Sequence, residues 1–209
     1  MNRKLILCAF LGASVVLSGC IGGKSVELSY LRVGHNLGCG PGCEKVKSGV
    51  PRLALKRFTS LPSLDRETVI IANGPVLKPD YRWNWEGTPA EVFDQAAGPA
   101  LGCMNSYEVV TPYRPGLERS LVLSGEITSF ELQRDGGDRF IASVRFSLWD
   151  SEGRVLLARR KITSEAPVGT MDGHGIATAA QQAVGKVLDD AVQWIDGLGE
   201  GGLLPGDKR

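Results

Sequence analysis

Apolar and polar positions alternate most cleanly from Phe140 to Asp150, where Phe140, Ala142, Val144, Phe146 and Leu148 fall on one face. A period of two over that length predicts a half-buried strand. Turn signals flank it, Asp135-Gly136-Gly137-Asp138 before and Ser151-Glu152-Gly153 after. With a long strand over Leu121 to Gln133 and a returning one over Val155 to Thr163, it predicts an antiparallel meander with one buried face. Gly125 inside the first of these strands marks a bulge or a close approach.

A different period governs the C-terminal part. Ile176, Ala180, Ala183, Val184, Val187, Leu188, Ala191, Trp194 and Ile195 recur at three- and four-residue spacing, the stripe of an amphipathic helix. A second helix starts at Thr88-Pro89, with Thr88 as N-cap, Pro89 at the first helical position and Glu91 at the capping-box spacing. It is expected to run to about Cys103, with Val92, Phe93, Ala96, Ala100 and Leu101 inward and a kink at Gly98-Pro99. Upstream, Tyr30 to Val33, Arg52 to Phe58 and the β-branched run Thr68 to Ala72 read as strands. Asn73-Gly74-Pro75 turns the last of these back into Val76 to Tyr81, and Tyr107 to Tyr113 is a further strand. The expected fold class is α+β: an antiparallel sheet of about six to eight strands packed on one face by two helices.

The N-terminus has its own pattern. Arg3 and Lys4 precede an apolar run from Leu5 to Leu17, and Leu17-Ser18-Gly19-Cys20 follows. That order is a secretory signal with a small-residue cut site, and Cys20 after the cut makes it a lipoprotein signal. A plain signal peptide with a chance cysteine is the alternative. The run is shorter than the roughly 20 residues a spanning helix needs, so the expected protein is held by acyl chains on Cys20. The division expected is a leader over 1–19, a lipidated tether over 20–29, one domain over 30–197 and a disordered tail over 198–209. Loss of the leader removes Arg3 and Lys4, leaving 22 basic against 23 acidic residues. No basic cluster stands out along the sequence, and nothing points to nucleic acid.

Composition offers little chemistry. The two histidines, His35 and His174, stand in glycine-rich surroundings, and Ser124-Gly125 lacks the first half of a Gly-x-Ser-x-Gly elbow, so no catalytic residues are assigned and the chain is read as a non-enzyme. His35, Cys39 and Cys43 lie at three-residue gaps, but zinc takes four ligands at shorter cysteine spacing. A Cys39–Cys43 disulfide across Gly40-Pro41-Gly42 is expected rather than a metal, in an oxidising compartment, and no cofactor is assigned. Cys103 is left either as a buried small apolar residue or as an alternative partner for one of the two.

The lipobox, the Tyr30-Leu31 strand, the Leu61-Pro62 segment leading through Asp65-Arg66 to Val69-Ile70, and the Tyr81 to Pro89 stretch with Trp85 ahead of the first helix together resemble the ABC-type transport auxiliary lipoproteins, the PqiC-like intermembrane transport lipoproteins. The resemblance covers roughly residues 17–197. The 34–51 loop, with Cys39 and Cys43, departs from it. The resemblance implies a non-catalytic part of an intermembrane lipid transport system. Its partner would be a periplasmic MCE-domain protein and, through it, an inner-membrane permease and ATPase. It implies attachment to the periplasmic face of the outer membrane, in keeping with Ile21 after the lipidated cysteine. A hollow partner calls for a symmetric receptor, hence a homo-oligomeric ring.

Candidate partner-binding residues are Asp65, Arg66, Tyr81, Trp83 and Trp85. Asp65-Arg66 reads either as a plain surface turn or as an interface contact. Tyr81, Trp83 and Trp85 fall on alternate positions, either covering the sheet or forming an exposed aromatic stripe. Trp85 is favoured as core and Trp83 stays open. The rival function is a stand-alone envelope lipoprotein that binds a lipid or small apolar ligand in a deep pocket between sheet and helices.

Overall fold

The computed structural model describes residues 28–34 and 49–200. Among the described residues nine strands and two helices follow in order: β1 (Ser29–Leu31), β2 (Arg52–Leu55), β3 (Thr59–Ser60), β4 (Thr68–Asn73), β5 (Val76–Trp85), α1 (Pro89–Leu101), β6 (Glu108–Val110), β7 (Leu121–Gln133), β8 (Arg139–Trp149), β9 (Leu156–Pro167) and α2 (Gly173–Glu200). This is the α+β class expected, with one difference: the sheet is mixed.

β7 explains the difference. On one side it pairs antiparallel with β8, and β8 with β9, as the alternating sequence predicts. On the other side β2, β3 and β4 line up one after another along its length, all parallel to it. Leu53 pairs with Leu121, Ser60 with Ile127 and Ile71 with Leu132. The chain reaches the start of β7 through α1 and the loop after it, and a helical crossover of this kind returns the chain in the same direction. β1 and β6 also add in parallel, outside β5 and β2. The β4–β5 hairpin is antiparallel across Asn73–Val76, as its turn predicts.

The expected Arg52 to Phe58 strand shortens to β2, and the two-residue β3 follows beyond its expected end. Phe58 leaves the ladder, points into the core against Phe93 and Phe146, and donates its N–H to the Asp94 carboxylate at 2.8 Å. The expected Tyr107 to Tyr113 strand shortens to β6, since Pro112 has no N–H to give.

Both helices lie on one face of the sheet. α2 packs on β8 and β9 and touches α1. The capping box forms: Glu91 N–H donates to Thr88 Oγ1 at 3.4 Å, and Thr88 N–H to Glu91 Oε2 at 2.8 Å. α1 runs through Gly98-Pro99 to Leu101 unbroken. Pro99 sits in the last turn and lacks the N–H that would donate to the Gln95 carbonyl, a single lost helical bond with only two helical residues after it. Asp172 caps α2 by accepting from Gly175 N–H at 2.8 Å. α2 continues to Glu200, three residues beyond the expected domain end, and residues 201–209 lie outside the described residues. No helix among the described residues is long and apolar enough to cross a membrane.

Candidate docking surface

The aromatic stretch of β5 owes its shape to a bulge. Val69 of β4 pairs with Asp80, but Thr68 pairs with Asn84, so Tyr81, Arg82 and Trp83 are extra residues on β5. Asp80 clamps the bulge. Its carboxylate accepts from Arg82 Nε at 2.9 Å, from Nη2 at 2.7 Å and from the backbone N–H of residue 82 at 3.2 Å. The Arg82 hydrogen bond holds the Asp80 carboxyl below the ordinary aspartate range, against a smaller opposing effect of burial. Two opposite charges at i and i+2 of a strand share a face, a signal present in the sequence and not used there.

The three aromatic candidates separate. Trp85 is fully buried, edge-on to Phe130 at 5.0 Å and to Phe140 at 5.5 Å between centroids. Trp83 is half-buried and packs against the core; a Cβ placed on Gly173, the first residue of α2, would lie 2.8 Å from its Cζ3. Both tryptophans therefore hold the sheet to the helix layer. Tyr81 stands outside, 71% exposed.

β1 brings a second aromatic to this end. Tyr30 sits opposite Asn84 and Leu31 opposite Trp85, so Leu31 enters the core while Tyr30, 64% exposed, lies on the other face. Glu86 N–H donates to Leu31 O at 2.9 Å, and Arg32 Nε contacts Glu86 Oε2 at 2.6 Å. Leu28, just ahead of β1, is also exposed. Tyr30 was legible only as a strand residue, because nothing in its spacing reveals that β1 docks as a parallel edge.

Asp65 and Arg66 form an exposed turn beside the same region: Trp85 N–H donates to Glu67 O at 2.6 Å, next door in sequence. Leu64 anchors the turn in the core, and its N–H and that of Asp65 both reach Leu61 O. Neither the Asp65 nor the Arg66 side chain makes a hydrogen bond or ion pair with another described residue. Turn and contact surface are therefore compatible roles for the same pair.

Cys20, Cys39, Cys43 and His35 lie outside the described residues. Cys103, half-buried after α1, is disulfide-bonded, so the reading of it as a buried small apolar residue gives way to a bridge; every other cysteine lies outside the described residues. Among the described residues no three His, Cys, Asp or Glu side chains converge in a metal-like group. His174 is exposed in the first turn of α2.

The arrangement of sheet and helices is found in other proteins. XCC0632 from Xanthomonas campestris, a DUF330 protein, superposes with a TM-score of 0.70 at 15% identity, over 83% of this chain and 98% of that one. The two share a fold. CT253 from Chlamydia trachomatis, a hypothetical protein, matches with a TM-score of 0.53 at 11% identity over 72% of this chain and 98% of its own. An uncharacterized protein lies between them, at 0.62 and 13% identity. No protein-family model and no curated protein matches the sequence. At these identities the shared property is the layered architecture, with nearly the whole of each neighbour represented in this chain.

Proposed function

We propose that this chain is a lipid-anchored, non-catalytic docking protein of the cell envelope. It serves an intermembrane lipid transport system by holding an MCE-domain partner at the outer membrane. The observation that carries the reading is the β1–β5 edge, where Tyr30 and Tyr81 project into solvent on a backbone fixed by the Asp80–Arg82 clamp and by buried Trp85. Rigid exposed tyrosines give large contact area at low entropic cost, which suits a protein interface. The lipobox ending in Cys20 supports the anchor. Cys20 stands eight residues before Leu28, within about 30 Å of it even when the tether is fully extended, so the edge stays near the membrane surface.

Assembly into a ring is part of the proposal, since a tubular partner presents repeated identical surfaces. The stand-alone ligand-binding reading requires a deep apolar cavity between sheet and helices. The inner faces are instead filled by Trp85, Phe93, Phe130, Phe140 and Phe146, all essentially without solvent access. The test is co-purification of the lipidated chain with MCE-domain proteins from envelope membranes in mild detergent. A retained partner, lost in Tyr30→Ala/Tyr81→Ala, supports the proposal. Retention of lipid by the chain alone, with no protein partner, supports the rival.

A further inference from the structure

The sheet face away from the helices holds a feature invisible along the sequence. Lys56 and Arg57 follow β2, Arg145 is in β8 and Arg159 is in β9, yet all four border one open hollow of about 250 Å³, with Ser124 and Ser147 also lining it. The register explains the gathering. Ser124 pairs with Ser147 and Ser147 with Arg159 across three strands, and the next rung on that face is Glu126, Arg145 and Lys161.

These cations are held in place. Arg159 Nε donates to Ser147 Oγ at 3.1 Å, and its two terminal nitrogens make no hydrogen bond to another described residue. The Lys56 ammonium lies 5.6 Å from the centre of the Tyr113 ring. Trp149 Nε1 donates to Ser124 Oγ at 3.0 Å, and Ser124 Oγ donates to the Ser147 carbonyl, fixing the hydroxyls. Only Arg145 has a carboxylate partner, Glu126; Lys56, Arg57 and Arg159 form no ion pair with a described residue. Four cations and one carboxylate, Glu126, line the hollow, and Arg57 also acts on the Asp94 carboxylate from outside it; the surplus of positive charge gains from a shared anion. A guanidinium fork, an ammonium and the Ser147 hydroxyl, whose oxygen accepts from Arg159 while its proton can donate, together match the oxygens of a phosphate group.

We infer that this hollow binds a phosphate group, supplied either by a phospholipid headgroup or by a free phosphate compound. The inference is independent of the proposed docking function, because the hollow lies on other strands, β7, β8 and β9 with the β2–β3 segment, and needs no protein partner.

The test uses the full chain in detergent, titrated calorimetrically with inorganic phosphate and with glycerophosphoglycerol, the deacylated phosphodiester of a lipid headgroup, at constant ionic strength. Saturable binding of either is expected, with tighter binding of the diester assigning the lipid source and tighter binding of inorganic phosphate the free one. Lys56→Ala/Arg57→Ala/Arg159→Ala weakens it about tenfold or more, with an unchanged circular dichroism spectrum. Arg160→Ala, on the opposite face of β9, leaves it unchanged. Absence of saturable binding by both probes, or equal loss in Arg160→Ala and the triple variant, overturns the inference.

Discussion

The ring of Phe58 lies across Gly125 so closely that a Cβ at position 125 would stand 2.2 Å from Phe58 Cε1. This is the close approach that a glycine inside β7 signals. It lets Phe58 leave the ladder between β2 and β3 and join Phe93 and Phe146. Gly125→Ala is therefore expected to destabilise the fold by about 1–3 kcal/mol, the usual cost of overpacking. Urea unfolding measures it. Adding Phe58→Leu should recover part of the loss, because the two residues share one space; strictly additive losses would refute the steric explanation.

Thr88→Ala removes one half of the reciprocal cap of α1. The expected cost is about 1 kcal/mol, read from the urea midpoint at unchanged slope. A loss indistinguishable from zero would mean that packing of Val92, Phe93 and Leu101 alone sets this helix start.

Strand alternation and helical stripes were legible because they depend on neighbours in sequence. All five inward positions expected for β8, Phe140 to Leu148, are buried, and so is the stripe of α2 apart from Trp194, which is half-buried. Parallel pairing of β2, β3 and β4 with β7 was not legible, since it depends on where α1 returns the chain. For the same reason the Tyr30 edge and the four-cation hollow escape a linear reading. Trp83 and Trp85 share one spacing in sequence, and only Gly173 of α2 and the β1 ladder decide how deeply each sits.

Glu131 faces the open side of the sheet. Burial pushes its carboxyl above the ordinary range, with Lys161 partly opposing. A raised folded-state value means that the folded protein is favoured at low pH and loses that advantage as pH rises through the raised value. Glu131→Gln should therefore be more stable than the parent at neutral pH, and the difference should vanish below the ordinary glutamate range. Thermal unfolding across pH checks this, and a difference independent of pH contradicts the assignment. Asp80, lowered by Arg82, acts oppositely. Its contribution is present above the ordinary aspartate value and is lost as pH falls through the lowered one.

The two kinds of aromatic at the β5 end predict separable phenotypes. Trp85→Ala should cost about 3–5 kcal/mol, as expected for emptying a large core site. Tyr81→Ala should stay within about 0.5 kcal/mol of the parent while weakening partner capture. A Tyr81→Ala variant that unfolds like Trp85→Ala would place Tyr81 in the structural core.

The most direct test places a photo-crosslinking amino acid at position 81 in the full chain, expressed in its own envelope, and identifies the adducts by mass spectrometry. The account predicts covalent adducts with an MCE-domain protein, and none when the same group replaces Gln182 on the exposed face of α2. Efficient labelling at position 81 that yields only lipid, or equal adducts from both positions, would contradict it.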